Sequence, residues 1–473
     1  MAIIKDRELL NVDGSIPIKL LVKCISLHKQ MLYRLEKLDQ YYDGEHKILE
    51  RTLSNTSLPN NKIVANHAQY ITDMATGYVF GVPISYSGDG DEELNDLFTA
   101  IDEDSHNNEL ALDTSIYGRG YELLFMNSKD TPTVELAVLD PKNTFLVVDS
   151  TVRHLPMFAV TYNEKRDIED TLKGYDVTVY TDTMIFYYFF TDLSSESPTQ
   201  PEGKDPEGED HYFGGVPIIE YQNNKRLEGD FEGVITLIDA YNLLQSDRVN
   251  DKEQLVDALL AVKGASLGDT EAEMTNTAKL IKEMKIIELP DNGDAKWLVK
   301  NLAESEIEVL KKSLKDDIHE FSKVPCLTDE NFVGNASGVA MKYKLLGLEQ
   351  LGKTKERYFK RGLRQRLKLI NNINTIKAKS FDLNSIDITM KRSLPVDDEL
   401  LARIAQLTDG FISWETRVKA YNPEIDVEEE RKRLDEENQK KLEQQQKAFG
   451  SYDFKTGNSD TNNKDGDVNG AKE

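Results

Sequence analysis

Apolar residues recur at spacings of three and four in several long stretches of the chain, and this period indicates amphipathic helices. The first stretch, residues 16–42, ends at Tyr42-Asp43-Gly44, and the second, residues 66–78, is followed by Gly81-Val82-Pro83, where proline removes a backbone donor. A third stripe of five apolar side chains runs from Ile307 to Phe321. The pattern therefore predicts helices at 16–42, 66–78 and 303–323.

Between residues 116 and 221 the pattern changes to short runs of β-branched and aromatic residues separated by turn-forming residues, which is typical of strands. Seven strands are predicted, at 121–126, 134–139, 145–148, 157–162, 177–180, 184–190 and 216–221. Within this part, residues 192–211 carry seven acidic residues, one lysine and three prolines. Because this composition buries too little apolar surface to offset the entropy of ordering, we expect an exposed, mobile loop there.

A helical period returns at residue 233 and continues, through Val256, Leu259 and Leu260, to the candidate C-cap Gly264. This predicts a helix of about 45 Å. Its middle, residues 245–254, has Val249 as the only strongly apolar member. Such a polar-sided helix usually bridges other elements or packs against copies of itself. A small lobe with a β-hairpin is predicted at 265–302, with strand-like segments at 285–289 and 297–299.

Residues 324–338 form a loop sequence rich in Gly, Asn and small side chains, which leads into a helical pattern of nearly 40 residues at 339–376. Three glycines inside that helix mark positions where it can kink or pack closely, namely Gly347, Gly352 and Gly362. A further strand is predicted at 386–391, helices within 396–449, one of them opening at Ser413, and a disordered polar tail from Gly450. The predicted fold class is therefore α+β.

The chain has 473 residues, which corresponds to about three structural units. Its formal charge of −26 argues against a protein that grips nucleic acid through a broad basic face, although not against one that lets DNA pass without sticking. Cys24 and Cys326 have no Cys/His cluster beside them, so neither a zinc site nor a disulfide framework is expected. We expect a cytoplasmic origin without a secretion signal, and no membrane span.

One nucleotide-binding pattern requires a decision, because residues 347–354, from Gly347 to Gly352-Lys353-Thr354, match G-x-x-x-x-G-K-[ST]. A working P-loop needs a strand before it and free backbone N–H groups around the phosphate, whereas both flanks here have helical patterns. A helix with closely packed glycines is therefore favoured over an ATPase that uses Gly352 and Lys353. Asp329 and Asn331 begin an EF-hand-like pattern that lacks its later ligands. No catalytic, metal or cofactor site is predicted.

The segment from Met341 to Lys377 differs in charge from the acidic remainder of the chain. It holds eleven Lys or Arg against two acids, Glu349 and Glu356, a balance of +9. Two interpretations stay open: this helix docks onto an acidic neighbour in a self-assembly, or it contacts DNA phosphate. Assembly is favoured because the rest of the chain supplies abundant acidic surface.

Several short motifs occur in a specific order along residues 30–395. They are Tyr41-Tyr-Asp-Gly-Glu-His46, Asn60-Asn-Lys-Ile-Val64, Ile71-Thr-Asp-Met-Ala-Thr-Gly-Tyr78 with Gly81-Val-Pro83, Phe213-Gly-Gly-Val-Pro217 with Glu220-Tyr-Gln-Asn-Asn224, and the block 321–370. In this combination the chain resembles the portal proteins of tailed bacteriophages, specifically the siphophage type of Gram-positive hosts. The resemblance implies a non-enzymatic ring of about twelve copies at one capsid vertex in the virion, assembled in the host cytoplasm, which conducts double-stranded DNA during packaging and ejection.

The resemblance also implies a role for each segment. Residues 1–40 are an N-terminal helical segment, and residues 41–232 are the wing, which includes the acidic loop 192–211. The two stem helices are 233–264 and 303–323, with a small α/β clip at 265–302 between them. The tunnel loop is 324–338, the long helix kinked at Gly347 and Gly352 is 339–378, a further wing strand is 379–395, the crown is 396–449 and the tail is 450–473. The residues implied to face DNA are Thr328, Asp329, Glu330, Asn331, Phe332, Val333, Gly334, Asn335, Ala336, Ser337 and Gly338.

The partners implied are other copies of the chain, the DNA, the terminase large subunit, a head-completion or adaptor protein, and the scaffold and major capsid proteins. Two alternatives remain at this stage. A P-loop ATPase subunit of the packaging motor would use Lys353, and a scaffold or adaptor ring would share the helices without needing a flexible loop at a pore.

Overall fold

The computed structural model describes residues 3–11, 14–56, 58–88, 90–127, 132–256, 259–263, 270–284, 294–298, 304–327, 343–377, 381–393, 403, 406–408, 410–421 and 427–449. The chain divides into two compact units, residues 1–393 and residues 394–473. The first unit combines helices and sheets, so the fold is α+β.

The helices of the first unit include the three that the apolar spacing predicts. They are α1 Ile18–Asp43, α2 His67–Phe80, α3 Asp91–Ala100, α4 Glu103–Tyr117, α5 Ile235–Val256, α6 Glu271–Met284, α7 Glu304–Ser322 and α8 Leu346–Ile376, with 3-10 turns at Arg7–Leu9, Lys47–Glu50 and Glu232–Val234. The predicted ends of α1 and α2 have a clear local cause. Gly44 ends α1 in the left-handed region with φ of 86°, and the Asn66 side chain accepts a hydrogen bond from the Gln69 N–H at the start of α2.

The strands confirm all seven predictions between residues 116 and 221 and add short ones elsewhere. They are β1 Ile3–Lys5, β2 Ser85–Ser87, β3 Arg119–Met126, β4 Val134–Leu139, β5 Thr144–Asp149, β6 Pro156–Arg166, β7 Leu172–Tyr180, β8 Met184–Phe190, β9 Glu209–Asp210, β10 Ile218–Gln222, β11 Leu259–Lys263, β12 Asp294–Leu298 and β13 Asp387–Thr389. The predicted strand near 386–391 is thus also present, as β13.

Four sheets result from the pairing of these strands. The largest has the order β1-β5-β6-β7-β8-β9, in which β1 joins β5 in parallel and the other pairs are antiparallel. A three-stranded sheet has the order β10-β3-β4, and two-stranded sheets pair β11 with β12 and β13 with β2. The acidic segment 192–211 is mostly exposed, as predicted, but it is attached to the large sheet through β9 and through a bridge between Thr199 and Phe189.

Helix α1 connects the two larger hydrophobic cores of the first unit. Its N-terminal half, including Leu21 and Ile25, packs with the large sheet, whereas Leu35 and Leu38 belong to the core shared with α2, α4 and α8. Helix α8 contributes a row of buried apolar side chains to that second core, among them Phe359, Leu363 and Ile370. The long helix is therefore a central element of the first unit rather than a surface one.

The helix predicted at 233–264 is wrong in its last part. Helix α5 ends at Val256, and Leu259–Lys263 forms β11, which pairs with Asp294–Leu298. A short apolar run fits either a helix or a strand by periodicity, and here a pairing partner more than thirty residues later decides between them. The predicted strand at 285–289 lies outside the described residues.

Helices α3 and α4 were not predicted, whereas α6 lies in the segment for which the resemblance implies a small α/β clip. The buried side of α4 includes Asn107, Thr114 and Ser115, so its hydrophobic spacing does not reveal the helix. The polar residues there are buried because they have hydrogen-bonding partners inside the unit.

The second unit contains α9 Trp414–Tyr421 and α10 Val427–Phe449, which confirms that helices lie within 396–449 and that one of them opens at Ser413. Ser413 Oγ accepts a hydrogen bond from the Thr416 N–H at 3.3 Å, and Arg431 pairs with Glu415 at 3.2 Å. Most of the first predicted helix of this unit, and the tail from Gly450, lie outside the described residues.

Candidate functional site

Helices α5 and α7 form a long antiparallel hairpin. Arg248 pairs with Glu308 at 2.6 Å and with Glu304 at 3.1 Å, and Lys252 pairs with Glu304 at 2.9 Å. This register runs the two helices in opposite directions. At the base of the hairpin, Ile238 and Ile318 are fully buried.

Away from the base, the hairpin exposes apolar side chains. They are Leu243, Val249, Val309 and Leu310, with exposed fractions between 39% and 70%. Residues 61–65 cover one face of α5 as far as Asn250, whose Oδ1 accepts a hydrogen bond from the Asn61 N–H at 2.7 Å. Leu243 and Val249 lie elsewhere on the same helix and are exposed. Exposed apolar side chains clustered on one element are typical of a surface that meets another protein.

The chain that leaves α7 is fixed in place at the base of the hairpin. Lys323 adopts a left-handed conformation with φ of 64°, which ends the helix sharply. His319 Nδ1 hydrogen-bonds the Val324 carbonyl at 2.8 Å. Tyr70 holds the residues that follow through two hydrogen bonds. Its hydroxyl donates to the Pro325 carbonyl at 3.1 Å and accepts from the Leu327 N–H at 3.0 Å.

The residues predicted to face DNA, Thr328–Gly338, lie outside the described residues. Further along the chain, Leu345 is buried. Gly347 lies directly against Lys323, since a Cβ on this glycine would come within 3.4 Å of the Lys323 carbonyl oxygen. The described residues before 328 and after 342 are therefore neighbours at the base of the α5–α7 hairpin.

Helix α8 is anchored by two buried cations, which the sequence pattern did not single out. Lys355 Nζ lies 2.5 Å from the Asp230 carboxylate and donates to Asn223 Oδ1 at 2.8 Å. Asp230 also accepts a hydrogen bond from Ser115. Both charged side chains of this pair are at most 2% exposed, so α8 is tied to the loop that leads into α5.

The second anchor is Arg366, whose side chain is fully buried. Its guanidinium lies 2.5 Å from both Glu103 and Glu122 and donates to Asn107 Oδ1 at 2.8 Å. Glu122 also contacts a histidine, because its Oε1 lies 2.7 Å from His106 Nε2. Burial alone would raise the pKa of Glu122, but the charge of Arg366 and the hydrogen bond from His106 lower it to about 2.

The glycines of α8 allow close packing. A Cβ at Gly352 would come within 3.2 Å of Val79, and a Cβ at Gly362 would come within 2.4 Å of the Tyr221 ring. Helix α8 is continuous from Leu346 to Ile376. The kinks at Gly347 and Gly352 stay a prediction.

The P-loop interpretation is wrong, because residues 347–354 lie in the first turns of α8. Thr354 Oγ1 donates to the Gln350 carbonyl at 3.0 Å, and Lys353 lies 3.5 Å from Glu349. Glu349 in turn accepts hydrogen bonds from Tyr78 and Arg392. Backbone N–H groups that close helical turns cannot cradle a phosphate, so the segment is a packed helix and not a nucleotide site.

The described residues show neither a metal-binding cluster nor a membrane-spanning helix. No group of three or more His, Cys, Asp or Glu in this part of the chain could hold a metal ion. No helix among the described residues is long and apolar enough to cross a membrane.

Comparison with known proteins decides the family. The model of the phage portal protein family, SPP1 Gp6-like, matches residues 21–444, which is most of the chain. The chain belongs to the phage portal protein family. The resemblance seen in the sequence motifs is thus confirmed, and since portal proteins are structural components, this portal protein is not an enzyme.

Two curated relatives are named portal proteins. The chain is 25% identical over 422 residues to the portal protein of Bacillus phage SPP1, which covers 85% of this chain and 80% of the relative. It is 24% identical over 417 residues to the portal protein of Clostridium phage phiCD119, which covers 83% of this chain and 90% of the relative. Among solved structures, a chain from the neck of a native gene transfer agent particle matches with a TM-score of 0.43 and 14% identity, over 75% of this chain and 89% of that chain.

Proposed function

We propose that this portal protein forms a ring of twelve copies at one vertex of a viral capsid, and that double-stranded DNA passes through the ring during packaging and ejection. Membership of the portal family supports the ring and the place in the virion, with assembly in the host cytoplasm. The observation that carries the proposal is the α5–α7 hairpin, because its base holds both ends of the segment 324–346. A segment whose two ends are fixed on a rigid body can extend as a loop toward DNA that passes through the ring.

The segments take the following roles in this proposal. Residues 1–40 are the N-terminal helical segment, and residues 41–232, with α2–α4, form the wing together with the strand near residue 388. Helices α5 and α7 are the stem, and residues 265–302 at their far end are the clip. The loop 324–338 faces the DNA, with Thr328–Gly338 at the tunnel, and residues 396–449 form the crown. The exposed apolar side chains of the stem are then covered by neighbouring stems.

Partner docking follows from this arrangement. The clip meets the terminase large subunit and later the head-completion or adaptor protein, and other surfaces meet the scaffold and major capsid proteins. A charge of −26 on each copy supports a tunnel that repels phosphate and so discourages adhesion of the moving DNA.

The ring is tested by native mass spectrometry and electron-microscopy class averages of the purified chain. We expect a closed ring of about twelve copies with a central hole. A chain that stays monomeric across protein concentrations and salt conditions would count against the proposal.

The tunnel loop is tested by deleting nine residues, Asp329–Ser337. Because Gly347 contacts Lys323, the shortened segment can still leave and rejoin the core at the same point, so we expect rings to form normally while DNA packaging is lost or strongly reduced. The matched control deletes nine residues of the exposed acidic segment, Glu196–Lys204, and should leave packaging unchanged. Rings that package DNA normally without Asp329–Ser337 would refute the assignment of this loop, as would loss of the ring itself.

A further inference from the structure

The positive charges of α8 occupy two opposite faces of the helix. Lys355 and Arg366 are buried and paired, whereas five other cations are exposed, at Lys353, Arg357, Arg361, Arg364 and Lys368. Their spacings of four, four, three and four place the five on one face, about 22 Å long, which we call the basic row. Arg357 precedes Arg366 by nine positions, which is two and a half helical turns, so the basic row points away from the side that Arg366 occupies.

The basic row has few partners within the described part of the copy that carries it. Lys353 lies 3.5 Å from Glu349, and Arg361 lies over the Tyr358 ring at 4.7 Å. Arg357, Arg364 and Lys368 form no ion pair with any described residue. Five like charges in one row repel each other, so an acidic partner surface stabilises this arrangement.

A matching acidic surface lies on α3 and α4. From residue 63 to residue 118 the chain has eleven acidic residues and no Lys or Arg. Seven described carboxylates in this stretch are exposed, and five of them on or beside α3 and α4 are what we call the acidic surface: Glu92, Asp96, Asp102, Asp104 and Glu109. They oppose the basic row in sign.

The basic row of α8 and the Glu109 side of α4 both point away from the contact between the two helices. Helix α4 turns Glu103 and Asn107 toward Arg366, and both of these residues are buried. Glu109 lies two positions after Asn107, so the helical period rotates it away from that side, and it is exposed. Since α4 and α8 meet through Arg366, the outward sides of the two helices lie on opposite sides of their shared contact.

A body with a positive face on one side and a negative face on the other is suited to head-to-tail association. In such an interface two different surfaces meet, and the same contact repeats from copy to copy until a ring closes. We propose that the basic row of one copy docks onto the acidic surface of α3 and α4 of the next copy. This inference rests on the proposed ring and names the charge contact that gives the ring its direction. DNA is the less favoured occupant of the basic row, because the chain itself supplies an exposed surface of opposite charge.

Charge reversal on each face tests the contact. One variant carries Arg357→Glu, Arg361→Glu and Arg364→Glu, and a second carries Glu92→Lys, Asp96→Lys and Glu109→Lys. All six positions are exposed, so the fold should be kept, which circular dichroism verifies. Each variant alone should need at least tenfold more protein than the unmodified chain to form rings in native mass spectrometry at low salt, because like charges then face each other.

Two rescue experiments make the test specific. A chain that carries all six reversals restores opposite charges at every contact and should form rings again. A 1:1 mixture of the two single-face variants should form rings in which the variants alternate. The control, Lys19→Glu with Lys23→Glu and Arg153→Glu, changes the net charge of the chain by the same amount at other exposed positions and should form rings normally.

The outcomes separate this inference from the proposed function. If the unmodified chain forms rings and the reversal of the basic row leaves assembly unchanged, the contact is refuted while the ring stands. Rings that form normally but bind a double-stranded DNA fragment at least tenfold more weakly would make DNA the occupant and also overturn the inference. Failure of both rescues would do the same. An unmodified chain without rings would count against the proposed function itself.

Discussion

Replacing Arg366 with methionine removes the charge at the centre of the buried cluster while keeping most of the side-chain volume. The guanidinium is fully buried and lies 2.5 Å from Glu103 and from Glu122, whose side chains are 6% and 0% exposed. In Arg366→Met the carboxylates of Glu103 and Glu122 stay buried but no longer have a cation beside them. Leaving a buried charge without its partner typically costs about 3–5 kcal/mol of the free energy of unfolding. We expect a loss of that size.

The loss should depend on pH in a specific direction. In the unmodified chain the pKa of Glu122 is about 2, below its ordinary value of 4.5, so Glu122 is ionised in both the folded and the unfolded state above pH 5. Without Arg366, burial raises the pKa of Glu122 above that of the unfolded chain. The folded variant then binds a proton that the unfolded chain releases, and its free energy of unfolding falls as pH rises from about 5 to 8. The difference between variant and unmodified chain should therefore be larger at pH 8 than at pH 5.

Urea unfolding monitored by circular dichroism at pH 5, 6.5 and 8 measures both effects. The control is Arg226→Met, because the Arg226 side chain is 80% exposed and lies 3.6 Å from Glu228, and it should change the free energy of unfolding by less than about 0.5 kcal/mol. Adding Glu122→Gln to Arg366→Met should recover part of the loss and reduce its pH dependence. A loss below about 1 kcal/mol, or a loss equal at pH 5 and pH 8, would refute the reasoning that Arg366 compensates buried carboxylates.

Two further predictions concern packing and acid stability. Gly362→Ala should lower the free energy of unfolding by about 1–3 kcal/mol in urea titrations, because its Cβ would lie 2.4 Å from the buried ring of Tyr221, and Gly233→Ala, which meets no atom within 4 Å, is the control. Buried His28 has its pKa lowered to about 4 by burial and by the charge of Arg119, so the folded chain binds fewer protons than the unfolded chain between pH 6.5 and 4. The free energy of unfolding should fall by up to about 3 kcal/mol as pH decreases through that window. His28→Gln should flatten this dependence, and an unchanged profile would contradict it.

Much of the secondary structure could be predicted because single side chains determine it locally. Gly44 ends α1 in a conformation that other residues rarely adopt, and strands of the large sheet such as Met184–Phe190 are short runs of β-branched and aromatic residues. The strand at 259–263 could not be predicted in this way, because its pairing partner Asp294–Leu298 is distant in sequence. Helix α4 escaped prediction for a different reason, since polar residues such as Asn107 are buried there through partners that only the fold assembles.

At the candidate site, the sequence likewise shows how many cations α8 carries but not which of them are buried. The balance of +9 from Met341 to Lys377 is visible in the sequence, but the separation into buried and exposed cations depends on which helix faces meet α4 and β3. Arg366 and Lys355 hold α8 at two points eleven residues apart, about 16 Å along its axis. Two anchors on one face prevent rotation of the helix about that axis, so the exposed cations on the opposite face keep a fixed direction. An interface that repeats identically around a ring requires such a fixed direction, because a contact that varied from copy to copy would not close. The buried ion pairs therefore set the geometry of the exposed row, and a change at Arg366 should disturb assembly through orientation even though Arg366 itself reaches no neighbour.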